Sequence, residues 1–114
     1  MAKYGTRLVA AAIVTLAAGI MIQPARAGDA KAGKMVYEHK CQMCHAPDGN
    51  GNPGMGAALH VKFIPLGSEE VQKMSDADLK KVITEGKGKM PAVKGLSDAD
   101  ISNVIAFVRT LKKK

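Results

Sequence analysis

The only two cysteines of the chain stand beside a histidine, in Cys41-Gln42-Met43-Cys44-His45. Two thiols one helical turn apart can both bond to a single group, and a histidine directly after the second can ligate a metal carried on that group. C-x-x-C-H is the attachment sequence of c-type haem. The two sulfurs add across the vinyl groups of the porphyrin, and the imidazole reaches the iron. Other chemistry of paired thiols fits less well. A thioredoxin-like dithiol sits beside a βαβ pattern, and no such pattern is visible here. A zinc site needs four ligands, and only His39, His45 and His60 remain to complete one. One covalent haem is therefore expected, with Cys41 and Cys44 as its thioether positions and His45 as an axial iron ligand.

A metal-bound imidazole donates its other N–H to a fixed acceptor. A backbone carbonyl of the following loop, near Pro53, is the expected partner. His39 lies within a turn of Cys41 and reads as a surface residue. His60 is an alternative iron ligand, but methionine completes the His/Met pattern of electron-transfer haems. Beyond residue 27 the methionines are Met35, Met43, Met55, Met74 and Met90. Methionine is commonly core filler, so each needs a reason. Met35 shares the helix that precedes the cysteines, Met43 lies between them, Met55 is too close in sequence to His45, and Met74 comes just before a helix cap. Met90 sits in Gly86-Lys87-Gly88-Lys89-Met90-Pro91. There glycines permit close backbone approach to a flat ligand and Pro91 stiffens the loop. Met90 is therefore the expected second axial ligand, a soft thioether that favours reduced iron.

Three helical patterns must position these groups. The first runs from Asp29 to about Cys41, with Asp29 as cap and Gly33, Tyr37 and Cys41 on one face. The second opens at Ser75-Asp76-Ala77-Asp78, carries Leu79, Val82 and Ile83, and stops near Gly86. The third opens at Ser97-Asp98-Ala99-Asp100, with the stripe Ile101, Val104, Ile105, Val108 and Leu111. Ala46–Gly56, with four glycines, two asparagines and two prolines, reads as a loop with no regular element. No segment alternates with period two, so essentially no sheet is expected. Only residues 62–66 could extend, and Pro65 opposes it.

The 114 residues allow one domain. Lys3 and Arg7, the uncharged run Leu8–Ile22 and Ala25-Arg26-Ala27 form the layout of a secretory signal peptide cleaved after Ala27. The run is short for a membrane span, which needs about 20 residues. If uncleaved, it would tether the domain of residues 28–114 to a membrane. Lys3, Arg7 and Arg26 account for three of the 17 basic residues, leaving 14 against 10 acidic ones, a net charge of +4 rather than +7. Both signs are spread along the chain apart from Lys112-Lys113-Lys114. With no basic stripe among aromatics and no Trp, a nucleic-acid partner is not indicated. Lysines suit encounter with acidic partner proteins.

At these residues the chain resembles the class I single-haem cytochromes c, above all the small soluble bacterial and algal carriers, over nearly all of residues 28–114. The resemblance rests on Gly33, Tyr37, Cys41–His45, the Gly86–Pro91 loop and the helix Ile101–Val108. It implies an all-α cytochrome c-like fold, three to four helices wrapped around one covalently bound haem. It also implies that the first and last helices cross, with Gly33 and Tyr37 against Val104 and Phe107. Two departures bear on the haem surroundings: Ala46 follows His45 where glycine is frequent, and no Trp follows Met90-Pro91. The implied function is electron carriage between redox proteins by a monomer, not enzymatic catalysis, in the periplasm or a thylakoid lumen. The alternatives are a cytochrome subunit of a multicomponent dehydrogenase or oxidase, and an open haem site with His60 as distal group.

Overall fold

The computed structural model describes residues 10–19 and 28–114. Lys3, Arg7 and Ala25-Arg26-Ala27 lie outside the described residues. Residues 10–19 form no regular element and are exposed, Ile13, Val14 and Leu16 included. No helix among the described residues is long and apolar enough to cross a membrane.

The domain begins with α1, Ala30–Lys40, where the Asp29 side chain accepts from the backbone N–H groups of Lys31 and Ala32. Its buried face is Gly33 and Tyr37. α2, Gln42–His45, is one turn holding the second cysteine and the histidine. α3, Pro53–Leu59, is capped by the Asn52 side chain, which accepts from Gly54 and Met55. α4, Glu69–Gln72, follows Ser68. α5, Asp76–Glu85, opens under Ser75 and ends at Gly86. α6, Asp98–Thr110, opens with a complete capping box between Ser97 and Asp100.

Six helical segments occur among the described residues, two of them, α2 and α4, single turns of four residues, and Ala46–Gly56 is not wholly irregular, because α3 begins inside it. Asn52-Pro53 supplies an N-cap followed by proline at the first helical position, where a missing N–H costs nothing. The glycines around that pair mask the start signal. No strand occurs among the described residues; Lys87 and Met90 pair as an isolated bridge.

α1 and α6 cross at near-backbone contact. A Cβ on Gly33 would lie 1.8 Å from the Asn103 carbonyl oxygen, and one on Gly28 would lie 2.0 Å from that of Ser102. The Asp29 N–H donates to Asn103 Oδ1 at 2.8 Å, locking the register. One turn on, the Tyr37 and Phe107 rings meet with centroids 4.9 Å apart. Val104 and Tyr37 are each 1% exposed. The expected crossing of Gly33 and Tyr37 against Val104 and Phe107 is thus present.

A second cluster joins Val71, Leu79, Ile101 and Ile105, with Leu66, Met74, Ile83 and Val108 packed against it. Burial of each such side chain contributes about 1.5–3 kcal/mol. A polar clip backs this wall. Gln72 Nε2 donates to the carbonyls of Leu66 and Val108. The Arg109 guanidinium donates to the carbonyls of Gln72 and Met74 and pairs with Asp76.

Candidate functional site

The cysteine-bearing turn is folded back on itself by its own loop. The Gly51 N–H donates to the His45 carbonyl and the Asn52 N–H to that of Cys44, both at 2.8 Å. Asn52 Nδ2 also donates to the Met43 carbonyl. The Tyr37 hydroxyl, arriving from α1, donates to the Ala46 carbonyl. The Phe63 ring stands edge-on to the His45 imidazole, centroids 5.6 Å apart. His45 is thus held from the α1 side, from its own loop and from the segment after α3.

Two adjoining cavities open beside this turn. One of about 310 Å³ is lined by Cys44, His45, Met74, Met90 and Pro91 together with aliphatic side chains. The other, about 160 Å³, adds Cys41, Tyr37, Ile83, Val104 and Ile105. His45, Cys44, Met90 and Pro91 border both. The walls are mostly aliphatic, with Phe63 in the first cavity and Tyr37 in the second, and charge enters at Lys62, Lys87 and Lys89 in the first and at Lys40 in the second. An apolar hollow with a few convergent donor atoms is the ordinary form of a cofactor site.

Burial pushes the Cys41 thiol up to about 11, with the neighbouring Cys44 adding to the effect. Both thiols are free. Burial lowers the pKa of His45, which keeps the imidazole neutral, the form that binds metal. His45 Nδ1 is buried with no hydrogen-bond partner. The expected bond to a carbonyl near Pro53 is therefore not made. The Cys44 and His45 carbonyls are engaged by Asn52 and Gly51, and Pro53 opens α3, whose carbonyls point along the helix axis. A buried, unpaired ring nitrogen in an otherwise satisfied interior marks a functional group. Two free thiols, a neutral imidazole and a thioether around an aliphatic hollow fit a flat, apolar, metal-bearing cofactor.

The other singled-out residues separate cleanly. Met35 and Met43 are 63% and 77% exposed. Met55 borders neither cavity, whereas Met74 borders the larger one. Met74 belongs to the apolar cluster under α5; Met90 borders both cavities. His39 is exposed, its ring bonded to the Met35 carbonyl. His60 is exposed at the C-cap of α3 with φ 54° and borders neither cavity. Sequence reasoning missed Phe63, the Asn52 clamp and the hydrogen bond that the Lys89 ammonium donates to the Leu59 carbonyl. Only the Asn52-Pro53 start signal was available to find any of them.

Residues 28–108 match the family described as cytochrome c oxidase, cbb3-type, subunit III. A cytochrome c6 from Picosynechococcus sp. is 37% identical, the alignment covering 90% of this chain and 91% of that one. Cytochrome c-554(547) of Halothiobacillus neapolitanus is 36% identical over 75% of this chain and all of its own length. Among solved structures, the c-type cytochrome KustC0563 superposes with a TM-score of 0.61 at 30% identity, covering 71% of this chain and 98% of that one.

Proposed function

The chain belongs to the cytochrome c family, and we propose that Cys41 and Cys44 would hold its haem as thioethers while His45 and Met90 would be the two protein ligands of the iron. Haem c, bound covalently, supplies an iron centre that gains and loses one electron, and the chain is an electron carrier. The observation that carries the ligand assignment is the convergence of His45 and Met90 on the same aliphatic cavities beside Cys44.

The residues then divide the work. Cys41 and Cys44 make attachment permanent in a domain too small to enclose a large cofactor by packing alone. His45 contributes a neutral nitrogen and Met90 a soft sulfur that raises the potential relative to a second nitrogen. With both His45 and Met90 on the iron, no coordination site would be left for a substrate, which supports a carrier rather than an enzyme. A redox titration followed optically tests the assignment: a weak far-red iron–thioether band in the oxidised protein supports it, and a high-spin spectrum defeats it.

Residues 1–27 act as a signal peptide removed after Ala27, so the monomeric carrier works in the periplasm. Its redox partners meet it through acidic surfaces that complement Lys40, Lys62, Lys87 and Lys89 at the cavity rims. Such encounters are brief and weaken with salt. The description of the matched family favours one second reading, a fixed relay subunit of a multicomponent oxidase or dehydrogenase. Purification from whole native cells solubilised in mild detergent distinguishes them, since a shuttle elutes alone and a subunit elutes with its complex.

A further inference from the structure

The loop that carries Met90 is tied almost entirely to its own side of the cavity. The Gly86 N–H returns to Val82 and the Val93 N–H to Ile83, both within α5. Lys87 and Met90 exchange backbone hydrogen bonds with each other. Gly86 and Gly88 both sit at positive φ, 78° and 57°, a conformation that glycine adopts without steric cost. Among the described residues one polar contact joins this loop to the opposite wall. The Lys89 ammonium donates to the Leu59 carbonyl at 2.6 Å, across 30 positions of sequence.

Leu59 is built to receive it. It is the last residue of α3, and His60 turns the chain into the left-handed region directly after it. The His60 N–H is shared by the Ala57 and Gly56 carbonyls, and the Val61 N–H returns to Gly56. The carbonyl of Leu59 is beyond these bonds, at the end of a helix where a cation is favoured. Leu59, Lys89, Met90 and His45 all border the cavity of about 310 Å³, so the bond joins two elements that border the site. Lys87 borders the same cavity but makes no such bond.

We infer that Lys89 is a positioning residue for Met90: it latches the methionine loop to the C-terminus of α3 and so holds the thioether on the iron. The inference rests on the reading of Met90 as axial ligand. Without the latch the loop is anchored on the α5 side alone, and the thioether is displaced more easily by an outside ligand.

The test uses the mature haem-loaded protein and imidazole as the displacing ligand, followed by loss of the far-red iron–thioether band. Lys89→Ala should bind imidazole about five- to tenfold more tightly than the parent, the factor expected for one lost hydrogen bond. Lys89→Arg, which keeps a cationic donor, should stay near the parent. Lys87→Ala removes the same charge from the same rim and should also stay near the parent. Equal tightening in Lys87→Ala and Lys89→Ala would assign the effect to charge alone and overturn the latch, as would an unchanged Lys89→Ala. A parent protein lacking the band refutes Met90 ligation and the latch with it; a parent with the band and an indifferent Lys89→Ala refutes the latch only.

Discussion

The Tyr37 hydroxyl donates to the carbonyl of Ala46, the residue that follows His45. This one bond connects the α1–α6 crossing to the turn that carries Cys44 and His45. It joins the ring that packs on Phe107 to the backbone that aims the imidazole.

The bond sets a pH dependence. Burial pushes the Tyr37 phenol up to about 12, with smaller contributions from negative charge at Cys41 and Asp48. A thioether at Cys41 would remove that charge, but burial is the largest cause. An unfolded tyrosine releases its proton near pH 10, so between pH 10 and 12 the folded state holds more protons than the unfolded one. Stability from Tyr37 is therefore complete below pH 10 and declines as pH rises through 12. Urea unfolding at stepped alkaline pH should show this decline, and Tyr37→Phe should flatten it while costing about 1 kcal/mol at neutral pH.

Ala46 itself is strained. Its φ of 62° and ψ of 164° fall in a region that glycine occupies freely and alanine does not. Ala46→Gly should stabilise the protein by about 1 kcal/mol, read as a higher midpoint of thermal unfolding. An unchanged or lower midpoint would mean that the strain is absent or relaxed elsewhere.

The helix crossing tolerates no side chain at Gly33. A Cβ there would overlap the Asn103 carbonyl at 1.8 Å and the Val104 nitrogen at 2.8 Å. The contacting atoms are backbone, so no side-chain rotation relieves them, and the helices must separate. Gly33→Ala should cost about 3 kcal/mol or more, measured by denaturant unfolding monitored at the haem absorbance. Gly88→Ala adds a side chain where nothing lies within 4 Å, so its cost should be limited to the backbone penalty of its positive φ.

Two methionines border the cavity, and substitution separates them. Met90→Ala should abolish the far-red band and lower the midpoint potential. Met74→Leu, which preserves volume in the apolar cluster, should keep the band. His60→Ala should change neither, since His60 borders neither cavity. Loss of the band in Met74→Leu with retention in Met90→Ala would reverse the ligand assignment.

The helices that were legible in the sequence are those whose signals are local. Asp29, Ser75 and Ser97 each cap the helix they precede, and the apolar stripes of α5 and α6 follow their caps directly. α3 and α4 were not legible because they are short and lean on distant partners. A Cβ on Gly51 would strike Phe63, the Leu66 N–H bonds the Gly49 carbonyl, and Gln72 bonds Leu66 and Val108. None of these pairs is visible in a local window.

By itself the sequence determined that Cys41, Cys44 and His45 lie together on one short turn, because their spacing is set by one turn of backbone. It also determined the faces of α1, α5 and α6, because helical periodicity repeats over a few residues. Only the tertiary structure decided which methionines border the cavity, that His45 Nδ1 is buried unpaired, and that Lys89 reaches Leu59. Each of these depends on where segments far apart in sequence come to rest, which is set by the packing of α1 on α6 and of Leu79 on Ile101 and Ile105. Short-range spacing specifies which atoms can bond a cofactor; long-range burial specifies which of them meet.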